Sequence, residues 1–227
     1  MFWTASRLGD FELQATDGPI GAIRDSLFDE TAWTVRWFVV DTGTWLPGRR
    51  VLIAPDRLEA VEGDRPELRL AISRAEVEAS PPFDEEAGVS REYEKALVGH
   101  YGWQSYWTGL GHAQPPEGQQ SLRSADDLLG YHIEAQDGRI GHVDEILIDP
   151  NGWIVRYLVV DTRDWWPGKL VLVVPQALTA TEPDSRTLRV GLTREQVRNG
   201  PAFDPDQTID RKIEEQFLGY YGYPVYW

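Results

Sequence analysis

One property constrains this chain more than any other: it contains the same pattern twice. Sliding the chain by 120 positions lays residues 1–107 on residues 121–227 without a gap, and 40 of the 107 pairs are identical. The matches keep their order. Asp17-Gly18-x-Ile20-Gly21 recurs as Asp137-Gly138-x-Ile140-Gly141, Val39-Val40-Asp41-Thr42 as Val159-Val160-Asp161-Thr162, and Tyr106-Trp107 as Tyr226-Trp227. The folding problem is therefore that of one module of about a hundred residues, an ordinary domain size, posed in duplicate. A residue kept in both copies serves something common to them; one that differs is free or particular to one copy.

With 41% hydrophobic residues, each copy has enough apolar surface to bury a core. The formal charge of −15 is shared: residues 1–107 carry 11 basic against 19 acidic side chains, and residues 121–227 carry 11 against 17. Direct nucleic-acid binding is not expected, because it rests on Lys and Arg meeting phosphates. Anionic membrane surfaces would repel both acidic copies for the same reason, so membrane insertion is not expected and peripheral docking is left to contact with a membrane protein complex. The absence of cysteine removes disulfides, thiolate metal sites and thiol nucleophiles, and fits a reducing compartment. Met1-Phe2-Trp3-Thr4-Ala5-Ser6-Arg7 lacks the basic-then-apolar order of a secretory leader, and no stretch reaches the roughly 18 apolar residues that a spanning helix needs. The expectation is a soluble, cytoplasmic protein.

Residues 108–120 include Gly109, Gly111, Pro115, Pro116 and Gly118, a run that solvates well and packs poorly. It reads as a linker between domain 1–107 and domain 121–227. The first two-thirds of each copy predict five or six short strands. The Asp-Gly pairs mark a hairpin, and Trp33 to Val40 and Trp153 to Val160 are β-branched and aromatic runs suited to a half-buried strand. Pro55 and Pro175 close a later strand. The last third turns helical: Ser73-Arg-Ala-Glu76 and Thr193-Arg-Glu-Gln196 are capping boxes, and a second helix follows from Arg91 or Arg211. The expected fold is mainly β with short α-helices, as two tandem small β-barrels, each with a C-terminal helical and aromatic tail.

The ordered set Asp-Gly-x-Ile-Gly, an acidic residue (Asp25, Glu145), Asp29 or Asp149, Trp-x-Val-Arg, Val-Val-Asp and a later Leu-x-x-Pro resembles the PRC-barrel family. That family is named for the cytoplasmic domain of the photosynthetic reaction-centre H subunit and is also found in a ribosome maturation factor. The endings at His100-Tyr101-Gly102-Trp103 and Tyr220-Tyr221-Gly222-Tyr223 are similar to the tails of free-standing bacterial members. The resemblance implies a fold and a role in protein interaction or scaffolding, with no catalysis and no cofactor. Two departures from the named members are expected: no spanning helix of the H-subunit kind, and two barrels where the maturation factor has one.

The residues themselves give little catalytic signal. The histidines are His100, His112, His132 and His142. They do not recur between copies as a ligand set, and a metal site needs ligands converging at fixed geometry, so no metal is expected. The retained carboxylates Asp17/Asp137, Asp25/Glu145, Asp29/Asp149 and Asp41/Asp161 fall at turns and strand ends, where Asp accepts local backbone hydrogen bonds. Arg36 and Arg156 lie within apolar strands and require a nearby carboxylate, with Asp25 and Glu145 as candidate partners. Ten tryptophans direct attention to the aromatics. Trp45, Trp165 and Trp166 precede Pro-Gly loops, and Tyr101, Trp103, Tyr106, Trp107, Tyr221, Tyr223, Tyr226 and Trp227 form the tails; all are candidate interface residues. Each tail is expected to dock on a barrel, the other copy's being one candidate, because retained aromatics at a chain end must offset the entropy of ordering. The leading functional expectation is a non-enzymatic scaffold with an unidentified protein partner, self-association included. The alternatives are a peripheral accessory to a reaction-centre or other electron-transport complex, and a ribosome-maturation-type factor that binds a ribosomal protein.

Overall fold

The computed structural model describes residues 2–61, 67–108, 122–163 and 169–227; most of the expected linker lies outside them. The first copy runs β1 (Trp3–Thr4), α1 (Ala5–Leu8), β2 (Glu12–Ala15), β3 (Gly18–Asp29), β4 (Thr34–Asp41), β5 (Arg50–Ile53), β6 (Leu58–Val61), β7 (Glu67–Leu70), α2 (Arg74–Glu78) and α3 (Arg91–Tyr101). The second repeats the order as β8 (Leu122–Ser124), α4 (Ala125–Leu128), β9 (His132–Ala135), β10 (Gly138–Asp149), β11 (Ile154–Asp161), β12 (Leu170–Val173), β13 (Leu178–Glu182), β14 (Thr187–Val190), α5 (Arg194–Asn199) and α6 (Arg211–Tyr221). The protein is mainly β, with mixed sheet pairing and short helices. Among the described residues, no helix is long and apolar enough to cross a membrane.

Two compact units form, and they do not coincide with the two copies. One comprises Arg7–Ser124; the other joins Met1–Ser6 to Ala125–Trp227. In the first, strands run in the order β6, β7, β2, β3, β4, β5, antiparallel except for the parallel β2–β7 pair. In the other the order is β13, β14, β9, β10, β11, β12, with β9 and β14 parallel. The long strands β3 and β10 are each bent by bulges, which increase local twist.

Each unit takes one short strand from the other copy. Thr4 lies opposite Leu147 and Trp3 opposite Ile148; at the equivalent positions Ser124 lies opposite Leu27 and Arg123 opposite Phe28. Side chains fasten both joints. Trp3 meets Trp153 edge-on at 5.4 Å, Ser6 Oγ donates to Glu145, and Arg123 Nε donates to Glu30 at 2.6 Å. The expectation that each copy completes its own barrel is corrected here. A strand of two or three residues carries too little pattern to choose between its own copy and the other, because both offer nearly the same edge.

Closure into barrels is also corrected: among the described residues, no ladder joins β5 to β6 or β12 to β13, and the sheets are open. Pro55 and Pro175 start single 3-10 turns straight after β5 and β12. They have no N–H to extend the ladder and redirect the chain before the next strand. The cores still form as the pattern requires, with Val35, Trp37, Phe38, Val39 and Val40 in β4 and Val155, Tyr157, Leu158, Val159 and Val160 in β11 all buried.

The exchange predicts where damage will appear. Trp3→Ala is expected to cost about 2 kcal/mol through lost burial and ring contact. Its effect should fall on the second copy: amide hydrogen exchange should quicken in β10 and stay unchanged in β3. Faster exchange confined to β3 would contradict the pairing.

Candidate interaction surface

Each long helix reverses its own tail. Ser90 caps the start of α3 by accepting from Tyr93 N at 3.1 Å, and Asp210 caps α6 by accepting from Ile213 N at 2.9 Å. Gly102 and Gly222 stop them in the left-handed conformation, with φ of 64° and 75°, the usual glycine ending. Trp103 N then donates to Val98 O at 3.0 Å and Tyr223 N to Leu218 O at 2.8 Å. The chain is folded back along its own helix.

This reversal delivers a tyrosine to a buried carboxylate. Tyr106 Oη donates to Glu94 Oε1 at 2.8 Å, and Trp37 Nε1 donates to the same oxygen at 2.7 Å. Arg91 pairs with Glu94 at 2.8 Å, and the Arg36 guanidinium lies 4.3 Å from the Tyr106 ring centroid. In the other unit Tyr226 Oη and Tyr157 Oη donate to Glu214 Oε1 at 2.7 and 2.8 Å, and Arg156 lies 3.6 Å from the Tyr226 ring. Glu94 and Glu214 are only 3% and 5% exposed. Burial pushes the Glu94 carboxyl up, opposed by its hydrogen bonds and by the two arginines. Burial and the adjacent carboxylate raise the Tyr106 phenol, so it stays a hydrogen-bond donor. Chemically the cluster is a strap: a neutral phenol locked on a carboxylate beneath a stacked cation.

The arginines choose partners other than those expected. Arg36 meets Asp29 at 3.4 Å and Arg156 meets Asp149 at 3.3 Å, not Asp25 and Glu145. The register gives the reason. Asp25 lies opposite Val39, whereas Asp29 lies opposite Thr34, and Thr34 shares a face with Arg36 while Val39 does not. The bulge between Leu27 and Phe28 flips the parity and brings Asp29 onto the arginine's face. Asp25 instead accepts from Ser26 N at 2.7 Å, and Glu145 from Ile146 N at 2.8 Å.

The remaining candidates divide. Tyr101 and Trp103 stack at 4.2 Å against the buried cluster of Leu27, Trp37, Val39, Leu52, Val89 and Leu97, so they complete a core. Burial pushes the Tyr221 phenol up to about 12, and Tyr223 is half-buried. Trp45 is half-buried with Arg74 over its ring at 4.4 Å. Trp165 and Trp166 lie outside the described residues. Trp107 packs under Arg91 at 4.3 Å. Among the described residues, the exposed large apolar side chains are Tyr220 at 44%, in the last turn of α6, and Val225 at 48%, Tyr226 at 42% and Trp227 at 41%, at the end of the second tail. Both described tails contact their own helix and strand.

Sequence reasoning missed Glu94 and Glu214, although Arg-x-x-Glu is retained at 91–94 and 211–214. It found the Asp17/Asp137 pair without its role: these carboxylates accept from Arg74 N and Arg194 N at 2.7 Å, tying the hairpin turn to the start of α2 or α5. No family model matches the chain, and no curated protein matches it.

The strap is expected to carry stability. Deleting residues 222–227 should lower the unfolding midpoint by the equivalent of about 2 kcal/mol, since the buried Glu214 carboxylate loses the hydrogen bond that Tyr226 donates, and should increase ANS fluorescence. An unchanged melting curve would contradict this.

Proposed function

We propose that this chain is a non-enzymatic protein-interaction or scaffold protein built from two modules of PRC-barrel type. The observation that carries the reading is the split within the second tail. Tyr226 is anchored at its hydroxyl to Glu214, while Val225 and Trp227 beside it remain 48% and 41% exposed. An apolar pair held by a fixed neighbour loses little further entropy on docking, and preorganised aromatic anchors of this kind dominate binding energy at protein interfaces. The chain's net charge of −15 favours a basic partner.

The test is a paired capture from native cell extract, using the full chain and a Val225→Ser/Trp227→Ser variant that keeps Tyr226. The reading requires a protein that binds the native chain stoichiometrically and is lost from the variant. Equal recovery by both chains would overturn it.

A further inference from the structure

The two copies part company where β9, β10 and β11 lie side by side. Register sets His132 opposite His142, and His142 opposite Asp161. These three residues therefore form one row on one face of the sheet, with neighbouring Cβ atoms about 4.5–5.5 Å apart. Asp144 falls at the bulge between Val143 and Glu145 and reaches the same place. One ligand atom from each of His142, Asp144 and Asp161 lies within 4.8 Å of the other two. Asp161 is 1% exposed, His142 is half-buried and Asp144 is exposed, so the group has a fixed floor and an open side.

The first copy holds Glu12, Ala22, Arg24 and Asp41 at these positions, in the same register. There Arg24 Nε sits 3.6 Å from Asp41 Oδ2, so the copy supplies its own cation. In the second copy the arginine has become Asp144, the alanine His142 and the glutamate His132. Two carboxylates now face each other, an arrangement that favours a bound cation. Arg163 donates from Nε to Asp161 Oδ2 at 2.6 Å and from its backbone N–H to Oδ1 at 2.8 Å, and its side chain is 70% exposed, so a metal on Asp161 must displace a cation that reaches in from the solvent side.

We propose that His142, Asp144 and Asp161 form a divalent transition-metal site present in the second copy and absent from the first. Imidazole and carboxylate donors together suit zinc. Zinc–ligand bonds of about 2.0–2.2 Å require the side chains to draw in from their present separation, and the metal takes the place of the Arg163 side chain on Asp161.

The test is calorimetric titration of the untagged full chain with zinc chloride. One zinc per chain is expected. Each variant borrows the residue that the first copy carries at the same register position, so the fold is kept, and thermal unfolding without metal checks this. His142→Ala and Asp144→Arg should each weaken binding at least about tenfold, as loss of a ligand does. Arg163→Gly should strengthen it by removing the competitor, which adventitious surface chelation would not predict. No zinc binding, affinity unchanged by His142→Ala and Asp144→Arg, or weaker binding in Arg163→Gly would each overturn the site.

Discussion

Replacing Gly21 or Gly141 by alanine is expected to unfold the unit that contains it. A Cβ at Gly21 would lie 1.9 Å from Asp41 O and 2.8 Å from the Asp41 carbonyl carbon; at Gly141 it would lie 1.9 Å from Asp161 O. These are backbone atoms, and the neighbouring residue on β3 or β10 is paired to that same aspartate, Ala22 to Asp41 and His142 to Asp161, so neither strand can move aside. The φ angles of 144° and 154° add strain for any L side chain. Together these should cost about 4–5 kcal/mol, much of the stability of a domain of this size. The other glycine of the motif provides the control. At Gly18 and Gly138 the nearest atoms belong to the flexible side chains of Arg74 and Arg194, 3.4 and 3.5 Å away, leaving mainly backbone strain of about 1–3 kcal/mol. Urea unfolding should therefore rank Gly21→Ala well below Gly18→Ala in stability. Equal losses would contradict the close approach.

The second large effect is expected at the buried carboxylates. Glu94→Ala removes the acceptor for both Trp37 Nε1 and Tyr106 Oη and leaves Arg91 without the carboxylate it meets at 2.8 Å. Breaking a buried charged network from one side costs about 3–5 kcal/mol. Glu94→Gln keeps one acceptor oxygen and should cost about half as much. The same order is expected at Glu214, where the stranded groups are the hydroxyls of Tyr157 and Tyr226. Chemical denaturation of the four variants measures it. A silent Glu94→Ala would show that the tail is held by its ring contacts alone.

Local chemistry was legible in the sequence wherever one short segment determines the outcome. Ser73 with Glu76 and Thr193 with Gln196 form reciprocal capping boxes, and Asp17-Gly18 and Asp137-Gly138 turn between paired strands. What escaped depends on registers that no short segment encodes. The partner of Arg36 is decided by a bulge at Leu27, which changes the face that Asp29 presents. The destination of β1 and β8 is ambiguous because Leu27 and Leu147 are identical partners. Glu94 was hidden in a helix whose exposed glutamates look the same in sequence. His132 and His142 were discounted as ligands because the histidines do not recur between the copies, and only register reveals that they lie opposite each other with Asp161 alongside.

Strand exchange is what makes the two copies one interdependent protein, and the lack of native cysteine allows a direct measurement of it. Two double variants, Thr4→Cys with Leu147→Cys and Leu27→Cys with Ser124→Cys, place thiols at opposed positions, close enough for a disulfide. A third, Thr4→Cys with Leu27→Cys, places them as required if each copy kept its own first strand. Mild oxidation followed by peptide mapping should give the disulfide in the first two and free thiols in the third. A disulfide in the third, with the first two remaining reduced, would contradict the exchange.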